Sequence, residues 1–288
     1  MRSVSIIIPA RNEQQGLARL LPALLQQYGE SEIIVVDDGS DDETVQIVKQ
    51  HGVNVILSHP YSMGNGAAIK TGVRAATGDI LVFMDADGQH LPEFIDVLLA
   101  KLDEGFDMVV GARSSSSQAT FGRLCANSFY NWFASLMVGQ KVEDLTSGFR
   151  AVKADKFREF LYLLPNGFSY PTTCTMAFFR SGYPVGYVPV TVEKRIGKSH
   201  IRIFRDGVRF LLILFKIGSL YSPLKIFFPI SAITFAMGLM LYLYTYITIG
   251  RFTNMSALLF TTSVTIFLMG LVSEQITMLL YQRKDTKN

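Results

Sequence analysis

The chain has 288 residues, a formal charge of +3 and 49% hydrophobic residues, which is room for one large domain or two small ones at the apolar end of the globular range. A charge so small and dispersed, with no basic stretch interleaved with aromatics, excludes a nucleic-acid partner. Cys125 and Cys174 have no metal-ligand spacing and read as buried, reduced thiols.

Met1-Arg2-Ser3 runs directly into an apolar strand pattern without a signal-peptide core, so the first domain is expected in the cytosol. Apolar or β-branched runs at Val4–Pro9, Glu32–Asp37, Asn54–Ser58, Ile80–Met84 and Asp107–Gly111 predict strands. Between them, Gln14–Tyr28, Asp42–Gln50, Gly66–Ala76 and Pro92–Glu104 predict helices. This alternation predicts an α/β domain over residues 1–200, with a largely parallel sheet, helices on both faces, and ligands outside the carboxyl ends of the strands.

Residues 201–223 place Arg202, Arg205, Asp206, Arg209 and Lys216 on one side of a helix and Phe204, Val208, Leu211, Leu212 and Phe215 on the other. That pattern predicts an amphipathic helix lying in a headgroup plane. Residues 224–288 follow as an anchor. Ile226 to Gly250 and Phe252 to Ser273 are uncharged, each long enough to cross a hydrocarbon core of about 30 Å at about 1.5 Å per residue. The connecting loop carries only Arg251, whereas Arg283, Lys284 and Lys287 follow the second span. Basic residues on the inner side place both ends, and the first domain, in the cytoplasm. Glu274 falls near the cytoplasmic boundary, where it is expected to reach headgroup water.

Three acidic clusters end strands: Asn12-Glu13, Asp37-Asp38-Gly39-Ser40 and Asp85-Ala86-Asp87-Gly88-Gln89. Carboxylates gathered at one sheet edge repel unless a cation or hydrogen-bond donors intervene, and oxygen ligands without a nearby His/Cys set favour Mg²⁺ or Mn²⁺. Asp41 and Asp42 read instead as turn and cap residues. Gly64-Asn65-Gly66 opens a helix but lacks the third glycine of a dinucleotide fingerprint.

Ser5-Ile-Ile-Ile-Pro-Ala-Arg-Asn-Glu13, Val35-Val-Asp-Asp-Gly-Ser40, Asp85-Ala-Asp-Gly-Gln-His90 and Asp144-Leu-Thr-Ser-Gly-Phe-Arg150 together resemble family 2 of the glycosyltransferases. Within it the chain is similar to the polyprenyl-phosphate glycosyltransferases, the dolichol-phosphate mannose synthase-like group. The resemblance implies a GT-A (Rossmann-like) fold. It also implies inverting transfer of a hexose from a nucleotide diphosphate sugar to a polyprenyl phosphate at a membrane. By motif, Pro9, Arg11, Glu13, Val36 and Asp38 would line the nucleotide pocket. Asp85 and Asp87, with Ala86 between them and Gln89 as a further ligand, would hold the metal and diphosphate. Arg113 would face the same edge. Arg123 and Asn127 would hold the lipid phosphate, Asp144 would position rather than accept a proton, and Ser147 and Arg150 would complete that motif. Arg195 and Lys198 would close over the diphosphate.

Two positions depart from the family pattern: Arg11 replaces an aromatic residue common in relatives, and Asn127 replaces a serine. An acceptor of another kind, a polysaccharide or glycolipid, is the alternative, although the Gln-x-x-Arg-Trp signature of processive synthases is absent. An inactive nucleotide-sugar-binding scaffold is a second alternative. The two spans leave room for a homo-oligomer formed through the transmembrane helices.

Overall fold

A computed structural model describes residues 3–113, 121–167, 169–192, 215, 218–219 and 221–282, with side chains omitted at 121–127 and 280–282. The chain divides into two compact units, Met1–Ile201 and Arg202–Asn288. The amphipathic segment 201–214, Lys216, and the terminal Arg283, Lys284 and Lys287 lie outside the described residues.

The first unit is built on β1 (Val4–Ala10), β2 (Glu32–Asp37), β3 (Val55–Ser58), β4 (Ile80–Phe83), β5 (Met108–Arg113), β6 (Arg150–Lys153) and β7 (Val185–Val190). They form one seven-stranded sheet in the order β3-β2-β1-β4-β6-β5-β7. All pairs are parallel except those of β6, which runs antiparallel to both β4 and β5. Helices α1 (Gln14–Tyr28), α2 (Thr44–Gln50), α3 (Asn65–Ala75), α4 (Phe94–Asp103), α5 (Phe121–Val138), α6 (Ala154–Arg158) and α7 (Tyr170–Arg180) connect and cover it. Ile6, Ile7 and Ile8 on β1 and Val35 and Val36 on β2 are all fully buried. Such strands read as unbroken apolar runs because both faces of the sheet are covered. Helix α1 buries Leu17, Leu20, Leu21 and Leu24, the spacing of one helical face, against a core that includes Ile6, Ile8, Val35, Val82 and Val109.

The second unit is a hairpin of α8 (Pro223–Ile249) and α9 (Asn254–Gln282). Gly250 ends α8 with φ 69°, its N–H bonded to Tyr246 O at 3.0 Å, a left-handed cap that suits a residue without a Cβ. The helices touch through small residues. A Cβ on Gly270 would lie 2.7 Å from Phe227 Cβ, and Ser263 Oγ donates to Ser231 O at 2.9 Å. Outward positions such as Ile233, Met240, Ile247, Leu258, Val272 and Leu279 are apolar and exposed, as in helices whose surroundings are lipid. Both helices are long and apolar enough to cross a membrane. Glu274, half-buried, also bonds within the hairpin. Its Oε2 accepts the Leu224 N–H at 3.2 Å and lies 3.5 Å from Ser222 Oγ, satisfying donors that the first turn of α8 leaves open.

Candidate active site

The loops leaving β1 and β2 hold each other. Asn12 N–H donates to Ser40 Oγ at 2.9 Å, Asp41 N–H returns to Asn12 Oδ1 at 2.8 Å, and Glu13 N–H donates to Thr44 Oγ1 at 3.0 Å. Asn12 takes φ 54°, a region that asparagine tolerates better than most residues. Asp42 accepts the Thr44 N–H at 3.0 Å, the turn role its position predicted.

Asp38, at the end of β2, is buried and accepts from two donors on each oxygen. Oδ1 meets His59 Nδ1 at 2.7 Å and Met63 N–H at 2.8 Å; Oδ2 meets Ser62 Oγ at 2.9 Å and Gly64 N–H at 2.8 Å. Burial opposes its ionisation, but His59 and the other donors outweigh this and hold its pKa below the ordinary carboxylate value. His59 is fixed on its far side by Thr71 Oγ1 at 2.9 Å from Nε2. Asp38 thus organises the 59–64 segment into one wall of a cavity of 340 Å³.

Asp85, Ala86 and Asp87 form another wall, and Pro9, Arg11 and Glu13 lie between the two. β1 separates β2 from β4, so the Asp38 and Asp85 ends stand roughly 10 Å apart at two strand spacings. Two glycines set the carboxylates in place. A Cβ on Gly16 of α1 would fall 2.2 Å from Ala86 O, and one on Gly148 would fall 2.9 Å from Asp85 Oδ2. Asp87 Oδ1 accepts the Gln89 N–H at 3.1 Å. Among the described residues no group of three His, Cys, Asp or Glu side chains could enclose an ion. Asp85 and Asp87, two cavity carboxylates, are hard oxygen donors of the kind that fit Mg²⁺ or Mn²⁺ completed by ligand oxygens.

Behind them Arg113, the last residue of β5, grips Asp144. Nε donates to Oδ2 at 2.8 Å, Nη2 to Oδ1 at 3.1 Å, and the same Nη2 to Thr146 Oγ1 at 2.6 Å. Asp144 also accepts the Thr146 and Ser147 N–H groups, both at 3.1 Å. Burial would raise its pKa, but Arg113 and these donors lower it, and Asp144 stays ionised. The Arg113 guanidinium, disfavoured by burial, is held charged by Asp144 and by the nearby Asp85 and Asp87. His90 is buried and stacked on Phe149 with ring centroids 4.7 Å apart. Burial pushes it down to about 4, with Arg113 adding to this and Asp87 and Asp144 opposing it.

Of the residues singled out by sequence, Pro9, Arg11, Glu13, Asp38, Asp85, Ala86 and Asp87 share the cavity. Val36 is fully buried in β2. Ser147 is buried in the Asp144 turn. Arg150 is also fully buried, donating to Pro171 O and Thr175 Oγ1, both at 3.1 Å, and to Ser147 O. It ties that turn to α7 and does not line the cavity. Arg123 and Asn127 lie on α5, with their side chains outside the description, and Arg195 and Lys198 lie outside the described residues. Sequence reasoning missed Ser62, Asn65, Thr146 and Tyr170, which line the cavity. Asn65 and Thr146 stood inside motifs already noticed; Tyr170 carried no local signal.

Residues 5–161 match the model of Glycosyl transferase family 2, and residues 222–279 match the GtrB C-terminal hairpin. The first match covers more than half of the chain: the protein belongs to glycosyl transferase family 2 and is a glycosyltransferase. It is 28% identical over 207 residues to a dolichyl-phosphate hexose transferase of Haloferax volcanii, covering 71% of this chain and 89% of that protein. It is 32% identical over 166 residues to an uncharacterised protein of Methanocaldococcus jannaschii, covering 55% and 68%. Glucosyl-3-phosphoglycerate synthase from Mycobacterium tuberculosis, solved with Mn²⁺, UDP and glucosyl-3-phosphoglycerate, superposes with a TM-score of 0.62 at 20% identity, covering 76% of this chain and 79% of that one. The same enzyme with Mg²⁺ and UDP gives 0.59. These likenesses establish the GT-A fold.

Proposed function

We propose that the protein transfers a hexose, with inversion, from a nucleotide diphosphate sugar of the GDP-mannose or UDP-glucose type to a polyprenyl phosphate, dolichyl or undecaprenyl, at the cytoplasmic face of a membrane. One observation carries the reading: a cavity of 340 Å³ lined by Asp38 and by Asp85 and Asp87 occurs in a chain that also carries an apolar two-helix hairpin. The name of the Haloferax relative, whose length is largely spanned, supports a lipid phosphate as acceptor. The Mn²⁺ and Mg²⁺ bound in the structural neighbours support a divalent ion.

Asp85 and Asp87 would hold that ion, which when bound supplies positive charge for the departing diphosphate. Arg113, kept charged and oriented by Asp144, adds a fixed cation facing the same carboxylates. The acceptor phosphate attacks the anomeric carbon from the opposite side. A phosphate monoester has its second pKa near 6, so the nucleophile is already largely dianionic at neutral pH and needs no base. Asp144, whose oxygens already serve Arg113 and two N–H groups, is a positioning residue. Arg123 of α5 would bind the acceptor phosphate, and Arg195 and Lys198 would cover the diphosphate.

The test is a panel of nucleotide sugars offered with a short polyprenyl phosphate and Mn²⁺, followed by mass spectrometry of the lipid. A hexosyl-phospholipid formed from one donor is expected. Sugar transfer to a polysaccharide or another glycolipid, with the polyprenyl phosphate untouched, would refute the acceptor.

A further inference from the structure

We infer that Asn65 is a specificity-determining residue whose carboxamide oxygen accepts a hydrogen bond from the nucleoside half of the donor nucleotide, a ribose hydroxyl or a base N–H. The inference rests on the transferase reading and deepens it. Asn65 lines the cavity beside Ser62, Gly64 and Asp38. Its Oδ1 is buried and has no hydrogen-bond partner. A buried acceptor left unmet is costly, and native structures rarely keep one without a use.

The neighbouring acceptor cannot do this work. Asp38 has all four of its acceptor positions filled by His59, Ser62, Met63 and Gly64, the full capacity of a carboxylate. Asn65 Oδ1 is therefore an open acceptor beside Asp38 at that end of the cavity. Its backbone is also fixed. Ala67 N–H donates to Asn166 O at 3.1 Å, and a Cβ on Gly66 would lie 2.1 Å from Pro165 O, so the turn opening α3 has no freedom to carry Asn65 elsewhere.

The chemistry of the ligand decides which half it meets. A diphosphate at neutral pH offers mainly acceptors, which would repel an amide oxygen. The diphosphate is matched instead by Arg113 and the Asp85–Asp87 end, roughly 10 Å away by strand spacing. A nucleoside brings donors: two ribose hydroxyls and the N–H groups of its base.

The experiment is calorimetric titration of the full chain in detergent with Mn²⁺, comparing the unsubstituted protein with Asn65→Leu. The ligands are UDP, GDP, their 2′,3′-dideoxy analogues, ribose 5-diphosphate and inorganic pyrophosphate. Asn65→Leu is expected to bind the preferred nucleoside diphosphate about tenfold more weakly and pyrophosphate unchanged. A penalty that disappears with the dideoxy analogue assigns the ribose; one that disappears with ribose 5-diphosphate assigns the base. Equal affinity of both proteins for the nucleotide overturns the proposal, as does an equal loss for pyrophosphate. Should the unsubstituted protein bind no nucleoside diphosphate at all, the transferase reading itself falls.

Discussion

His90, Asp87, Arg113 and Asp144 share one electrostatic neighbourhood, and the histidine is the member whose charge state sets a pH window. Its folded-state pKa of about 4 lies below the ordinary 6.5, so the unfolded chain binds the proton first as pH falls. Stability contributed by neutral His90 is therefore full above about 6.5 and declines toward pH 4, by up to about 3 kcal/mol. Asp38 and Asp144, whose pKa values are lowered from 3.8, add their losses only below that range. Thermal unfolding in detergent from pH 7 to 4 should show a falling midpoint, and His90→Gln should flatten it. An unchanged slope in that variant would mean that another group carries the pH dependence. The sequence made Asp38, Asp85 and Asp87 legible because each follows a strand at the ligand-binding edge. It did not reveal that Arg150 is fully buried and donates to Pro171, Thr175 and Ser147, because a motif gives residue type and order, not the partners a side chain finds.

At the level of elements, the approach of α1 to the Asp85–Asp87 segment makes Gly16 the sharpest probe. Alanine is the better helix former by up to about 1 kcal/mol, yet its Cβ would meet Ala86 O at 2.2 Å. Gly16→Ala is expected to leave helix content intact while displacing the two carboxylates. A shift of about 1 Å there can cost on the order of a hundredfold in rate. Circular dichroism beside initial-rate measurements checks this, and normal turnover would show that the segment moves aside without harm. β1 to β4 and α1 to α4 were legible within one or two residues at most boundaries, since long apolar runs and leucines at helical spacing leave little choice. β6 was not. Its four residues, Arg150–Lys153, begin and end with charge, and they insert between β4 and β5 out of chain order. β7 contains Gly186 and Pro189, which argue against a strand, but it lies at the sheet edge, where proline is tolerated.

For the whole molecule, the cavity residues, Pro9 to Pro171, all lie in the first unit. A fragment ending near Ser199 is therefore expected to keep nucleotide binding and to lose most transfer to long-chain lipid phosphate, with transfer to a short soluble analogue retained. Parallel assays with the two acceptors give the comparison; undiminished use of the long chain would make the anchor incidental. Two uncharged runs made the hairpin legible. The partner of Glu274 was not, because Leu224 stands 50 positions earlier in the chain and meets it only once the two helices have folded together.

That contact has a mechanical side. Leu224 is the second residue of α8, where the preceding chain arrives and where any tug from it is first felt. With the Glu274 carboxylate latched to that turn, a pull on α8 is passed to α9 as well. The two helices therefore answer a load on the hairpin together rather than one after the other.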